Sequence, residues 1–253
     1  ITKGSEAATL SGATEYLLDN NPTTNTVAWT GLVNKPLINL GTGTPLNASL
    51  KTLGVTPVAC SGECDDNVLS YNLAGLPMTF NGVAYTRLHV STNGFVQLSN
   101  SATPPSASAA NVRLPSATAP VNLFAPFWTD LDLAGGSSGA GTLHIATLNY
   151  NSRTYVVVEW NGAEEWDVPG SAYTFQIWIA TSGAEDIFYN YVSVPATPTA
   201  LTVGVQDISR TLGASTYFAT QTSPATGTLP ATGSATRVNT TVGGRVDVSY
   251  NLE

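Results

Sequence analysis

The chain has 253 residues, only 10% of them charged, and seventeen aspartates and glutamates outnumber nine lysines and arginines. This balance excludes the usual electrostatic footprint of a nucleic-acid or anionic-membrane binder, because both partners require clustered positive charge. A surface solvated mainly by uncharged polar residues is typical of secreted and cell-surface proteins. Many glycines and prolines between short runs of β-branched and aromatic residues indicate an all-β fold.

Residues 1–58 show little periodicity, and we expect them to form an N-terminal arm or a small β subdomain laid against the main body. Residues 59–253 are predicted to form one β-sandwich module. No apolar run reaches the roughly 18 residues of a membrane span, so no membrane insertion is expected. No basic-then-apolar leader opens the chain, and we expect that the signal of an exported protein has been removed.

Cys60 and Cys64 are the two cysteines, and the three residues between them include a central glycine. This spacing allows a disulfide, which would stabilise a small loop in an oxidising compartment. A tetrahedral zinc site would need more ligands, and a spacing of three is not that of a redox motif. We therefore predict a Cys60–Cys64 disulfide.

Strand signals become clear after residue 68. Asn-Gly pairs at 81–82 and 93–94 separate strand-like runs and predict two successive hairpins. Residues 154–160, 172–179 and 245–252 alternate apolar and polar side chains, as half-buried strands do. In the second of these, the residues predicted to face the core are Tyr173, Phe175, Ile177 and Ile179. The pattern predicts a two-layer antiparallel β-sandwich with jelly-roll-like crossings.

Catalytic groups are scarce. His89 and His144 are the two histidines, both lie in strand-like runs, and neither is near a nucleophile elbow, so we interpret both as structural. Asp130 and Asp132 are two residues apart and would share one side of an extended strand. Structural hydrogen bonding, calcium binding and an acid/base pair all remain open for these two aspartates.

Two further acidic clusters offer hard oxygen ligands, the type that calcium prefers. One is Glu63 with Asp65 and Asp66 beside the cysteines. Neither cluster matches an EF-hand loop. The other surrounds Trp166, whose ring would stack on a sugar if it is exposed. Solvated loop charge is the alternative interpretation of both clusters. The candidate ligand-binding residues of the second cluster are Glu164, Glu165, Trp166 and Asp167.

Several segments together resemble a known family, and they are residues 78–85, 90–96, 122–132, 155–160, 175–179 and 185–187. This order of segments is similar to the non-catalytic C-terminal β module of secreted bacterial subtilisin-like serine peptidases, and more distantly to nidogen-type extracellular domains. The resemblance covers about residues 60–192. The peptidase's own catalytic motifs are absent from the chain, so the resemblance implies no catalytic residue.

The resemblance implies a non-enzymatic extracellular accessory or adhesion module appended to a secreted serine peptidase. Such a module would attach its parent to a substrate or surface, or stabilise the parent. The expected partners are the parent peptidase domain and an extracellular protein or polysaccharide. One alternative is a strand-exchanging subunit of an extracellular assembly, suggested by the polar N-terminal arm and by the alternating residues 245–252. Another is a calcium-dependent carbohydrate-binding module that uses Trp166.

Overall fold

The computed structural model contains 18 β-strands and no helix in the residues that it describes. None of them therefore forms an apolar helix long enough to cross a membrane. Before residue 48 the description is limited to β1 (Thr9–Leu10), β2 (Thr14–Glu15) and β3 (Leu37–Asn39). The predicted strand at 245–252 lies outside the described residues. The other described ranges are 48–60, 64–73, 75–133, 141–150, 153–181 and 185–238.

The later strands follow one another through short connections, apart from a long segment between β8 and β9. In chain order they are β4 (Val68–Asn72), β5 (Met78–Phe80), β6 (Val83–Tyr85), β7 (Arg87–Ser91), β8 (Phe95–Ser99), β9 (Leu123–Trp128), β10 (Leu131–Asp132), β11 (Thr142–Tyr150), β12 (Arg153–Glu165), β13 (Val168–Ala180), β14 (Ile187–Ser193), β15 (Leu201–Gln206), β16 (Gly213–Ala219), β17 (Thr226–Gly227) and β18 (Ala235–Val238).

Two seven-stranded sheets contain most of these strands. Sheet 1 has the order β17–β16–β15–β9–β8–β7–β4, and sheet 2 has the order β18–β14–β13–β12–β11–β3 with β10 also paired to β12. The β5–β6 and β1–β2 hairpins are separate. Within the described part of the chain, the strand pairs are antiparallel except β3 with β11, which is parallel. The prediction of an all-β, antiparallel fold is confirmed.

The inner faces of the two sheets pack together and form the main core. The ring of Phe127 in sheet 1 contacts the rings of Tyr173 and Phe175 in sheet 2, with 4.7 and 5.0 Å between the centroids. Burying large aromatic rings between two sheets is the main stabilising contribution in such a sandwich. The predicted inward face of β13 is confirmed, since these side chains are all buried in this core: Tyr173, Phe175, Ile177 and Ile179.

The two Asn-Gly pairs form different turns. Asn81 and Gly82 both have positive φ, 50° and 73°, as a two-residue type I′ hairpin requires. Between β7 and β8 the flanking pair is Ser91 with Phe95, so three residues form the turn, and only Gly94 among them has positive φ, 77°. Both predicted hairpins are present, and the turn of the second is one residue longer than that of the first.

The Cys60–Cys64 disulfide is present, with 5.4 Å between the two Cα atoms. Residues just before it lie against sheet 2, because Val58 N donates to Leu143 O at 2.7 Å. Residues 48–58, on the arm side of the predicted boundary, therefore contact the sandwich. The boundary itself remains a prediction.

Candidate functional site

Three parts of the chain that are far apart in sequence meet at one end of the sandwich. The β12–β13 turn lies beside the end of β9, since Trp166 N donates to Asp130 O at 3.0 Å. The short strand β10 pairs with the end of β12 and places Asp132 opposite Glu164. The β7–β8 turn contacts the segment that contains Asp65 and Asp66, since Thr92 N donates to Asn67 O at 2.9 Å. The acidic clusters predicted separately are therefore neighbours.

Asn93 joins these segments and is fully buried. Its Oδ1 accepts a hydrogen bond from Leu131 N at 2.9 Å, which positions the segment containing Asp130. Its Nδ2 donates to Asp66 Oδ1 and to Ala107 O, both at 2.7 Å. The sequence predicts Asn93 only as a turn residue. No local signal distinguishes this role from an ordinary turn, because its partners Leu131, Asp66 and Ala107 are far away in the chain.

Gly94 brings the β7–β8 turn into direct contact with β9. Phe127 N donates to Gly94 O at 3.2 Å, and a Cβ built on Gly94 would lie 1.9 Å from Phe127 O. Only glycine fits such an approach at positive φ. The contact joins two of the segments that carry the family resemblance, residues 90–96 and 122–132.

The carboxylates of Asp65, Asp66 and Asp130 offer oxygen atoms that all lie within 4.8 Å of one another. Asp66 is exposed and the other two are partly buried. Asp132, the fourth predicted metal ligand, is 1% exposed and is not part of this group. The structure thus brings together three of the four candidates. Asp130 lies just before β10 and Asp132 lies within it.

Negative charge is concentrated at this end. The pKa of Asp130 is raised from 3.8 to about 6, first because its carboxyl group is partly buried and second because of the negative charges of the neighbouring Asp66, Asp65, Glu165 and Asp132. Three carboxylates at this separation supply part of the six to eight hard oxygens that calcium takes, with carbonyls and water available for the others. The donor set contains oxygen only, which suits calcium better than zinc or copper.

The tip of the β12–β13 hairpin presents an aromatic ring beside the carboxylates. Trp166 is 45% exposed, and Asp167 after it has a φ of 58° in the two-residue turn. Buried side chains hold the tip from behind: Glu165 accepts hydrogen bonds from Thr199 N and Oγ1, and Glu164 accepts one from Gly170 N. Of the four predicted ligand-binding residues, Trp166 and Asp167 therefore face solvent, while the two glutamates hold the turn.

The histidines lie elsewhere, and each uses both ring nitrogens in contacts within the fold. His89 contacts Ser70 Oγ at 2.8 Å and Ser101 O at 3.1 Å, and burial lowers its pKa. His144 contacts Val55 O and Thr142 Oγ1, both at 2.8 Å. Both imidazoles thus satisfy buried polar groups of neighbouring segments.

Comparison with known proteins gives one family. A family model described as NIDO related matches residues 44–246, well over half of the chain. No curated protein and no solved structure matches. The match agrees with the distant similarity to nidogen-type domains inferred from residues 60–192, and it contains no indication of a peptidase. It also includes the β7–β8 turn, the end of β9 and the β12–β13 tip. The chain belongs to the NIDO-related family.

Proposed function

We propose that the chain is an extracellular attachment module that binds its ligand at the end carrying Trp166 and the three clustered carboxylates. Membership of the NIDO-related family and the Cys60–Cys64 disulfide indicate an extracellular, non-catalytic module. The observation that supports the location of the binding end is the convergence of Asp65, Asp66 and Asp130 beside an exposed tryptophan. An exposed ring on a hydrogen-bonded hairpin tip is a preorganised contact surface.

A calcium ion held by the three carboxylates would link the segment after the disulfide to the end of β9. It would offset the mutual repulsion of these side chains, which is the cause of part of the raised pKa of Asp130. It would also order the surroundings of Trp166, whose backbone is bonded to Asp130 O. In this proposal calcium shapes the binding surface and the tryptophan contacts the ligand.

Calcium at hundredfold excess over its Kd is expected to raise Tm by about 5–10 °C, because it binds only the folded state. Asp130→Asn is expected to remove most of that shift, since it removes one of three clustered carboxylates. Asp167→Asn is the matched control: it loses the same charge from the exposed hairpin tip, outside the group, and should retain the shift. Differential scanning fluorimetry with calcium and with a chelator measures all three. An unchanged Tm for the unaltered chain would contradict the calcium site.

When calcium is absent, the same Asp130→Asn change should raise the Tm at neutral pH. A carboxyl group whose pKa is raised on folding stabilises the protein fully below its unfolded pKa, 3.8, and this contribution is lost as the pH rises through about 6. Asparagine cannot ionise, so the variant should have a higher Tm than the unaltered chain at pH 7.5 and a similar Tm at pH 4. Equal Tm differences at both pH values would show that ionisation of Asp130 has no effect on stability.

Carbohydrate is the ligand class that an exposed tryptophan beside a calcium ion would suit, because sugar rings stack on aromatic faces. We expect binding on a glycan array in calcium and at least a tenfold weaker signal for Trp166→Ala. Val83→Ala is the control, since Val83 is a similarly exposed apolar residue, 47%, in a different hairpin. The absence of any glycan signal, with calcium or with chelator, would leave a protein ligand as the class to be tested.

The parent polypeptide is proposed to be a secreted subtilisin-like peptidase. The support is the resemblance of residues 60–192 to modules appended to such enzymes. The coding sequence adjoining this chain tests the proposal directly: an adjacent peptidase domain is expected, and a complete gene without one would contradict it.

A further inference from the structure

Residues 48–55, here called the strap, lie along the outer face of sheet 2. Leu50 and Val55 are 0% and 4% exposed and pack with Leu53 on the side of the sheet that faces away from the main core. Three aromatic rings of this face contact one another, with 5.2 Å between the centroids of Trp178 and Phe188. The residues of sheet 2 that form one buried apolar cluster with Leu50 and Val55 are Ala146, Leu148, Tyr150, Tyr155, Val157, Trp178, Ala180 and Phe188.

A row of polar side chains beside this apolar surface binds the main chain of the strap. Four residues lie opposite one another on adjacent strands: His144, Glu159, Gln176 and Asn190. The Glu159 carboxylate accepts hydrogen bonds from Leu50 N at 2.7 Å and Lys51 N at 3.3 Å. Gln176 Nε2 donates to Ala48 O at 2.9 Å, and His144 Nδ1 lies 2.8 Å from Val55 O.

These contacts have the form of peptide recognition. Main-chain groups of the strap are bound by side chains of the sheet, and a single aliphatic residue, Leu50, is buried completely. Recognition of a linear segment combines main-chain hydrogen bonds for affinity with pockets for particular side chains. The carboxylate of Glu159, the amide of Gln176 and the imidazole of His144 lie side by side on the sheet. Together they supply the donors and acceptors that bind the main chain of a peptide.

We propose that the outer face of sheet 2 is a peptide-binding groove, that the strap is its built-in ligand, and that the strap of a second copy of the chain can replace it. A second copy has the identical sequence, so exchange preserves every contact, which is the reason that swapping is an accessible route to dimers. The strap lies outside both sheets, so it can leave without breaking a strand pair. Three apolar side chains and a few hydrogen bonds hold the strap, far fewer contacts than the two packed sheets make, so local opening is easier than global unfolding.

Leu50→Asp in the full-length chain disables the strap and leaves the groove residues intact. A fluorescein-labelled synthetic peptide of residues 47–57 is expected to bind this variant, measured by fluorescence anisotropy. The unaltered chain should bind the peptide at least tenfold more weakly, because its own strap occupies the groove. A peptide carrying the Leu50→Asp change should also bind at least tenfold more weakly. Equal binding of the two peptides, or none to a folded variant, would overturn the proposal.

Exchange between two chains has its own test. A Glu159→Gln chain has an intact strap and a weakened groove, so its strap should enter the vacant groove of the Leu50→Asp chain. Sedimentation velocity of the mixture is expected to show a one-to-one complex that neither variant forms alone. A mixture that remains monomeric would overturn the exchange between copies.

If Leu50→Asp does not fold, hydrogen exchange on the unaltered chain decides the matter. The amides of Leu50, Leu53 and Val55 donate to Glu159 or to carbonyls within the strap. They are expected to exchange at least tenfold faster than the amides between β12 and β13. Equal rates would mean that the strap opens only when the whole sandwich unfolds, and would contradict its role as an exchangeable ligand.

Discussion

Replacing Gly94 with alanine is expected to lower the free energy of unfolding by about 3–4 kcal/mol. About 1 kcal/mol reflects the φ of 77°, which alanine rarely adopts, and the larger part reflects overlap of the new Cβ with Phe127 O at 1.9 Å. The neighbour is backbone, so the β7–β8 turn must move away from β9. Urea denaturation monitored by tryptophan fluorescence measures the loss.

Gly233→Ala isolates the conformational part of that loss. Gly233 has nearly the same φ, 78°, but a Cβ there would have no atom within 4 Å. We therefore expect a loss of only about 1 kcal/mol. If the two variants lose the same free energy, the close approach of the β7–β8 turn to β9 contributes nothing. If Gly94→Ala folds at all, it should also weaken calcium binding, because Asn93 and Asp66 would move with the turn.

Glu159→Gln is expected to lower the free energy of unfolding by about 3 kcal/mol. The fully buried carboxylate accepts hydrogen bonds from five donors: Ser49 Oγ, Leu50 N, Lys51 N, Asn161 Nδ2 and Gln176 Nε2. A glutamine places an NH₂ group against some of these donors and leaves them without an acceptor. The loss should be accompanied by faster hydrogen exchange in residues 48–55.

Glu164→Gln is the matched control for that variant. Glu164 is also a buried glutamate on β12, but within the described residues its carboxylate accepts one hydrogen bond, from Gly170 N at 2.9 Å. The expected loss is about 1 kcal/mol, the usual net contribution of one hydrogen bond. Comparable losses for the two variants would mean that the strap contributes little to stability.

Much of the strand structure could be predicted because alternation has a local cause. The inward face of β13 followed from a period of two in the chain itself, and the structure confirms it. The alternation places Gln176 and Trp178 on the other face of β13 but does not indicate what covers that face. Both are buried, and Gln176 Nε2 donates to Ala48 O. A cover supplied from more than 100 residues away leaves no local pattern.

The candidate site illustrates the same limit. Residue types indicated which side chains could bind calcium, since carboxylates close in sequence are visible directly. Sequence could not indicate that Asp65 and Asp66 lie beside Asp130, because their proximity depends on Asn93 holding two segments at once. It also could not separate Trp166 and Asp167, which face solvent, from Glu164 and Glu165, which hold the turn.

The sequence by itself determined the all-β class, the disulfide, the two hairpins and the inward face of β13. Each depends on residues within a few positions of one another, where propensity, spacing and turn chemistry act. Only the tertiary structure decided which acidic residues meet, that the outer face of sheet 2 is covered, and that Gly94 is required by β9. These depend on contacts between distant segments, and packing of two sheets against each other selects them.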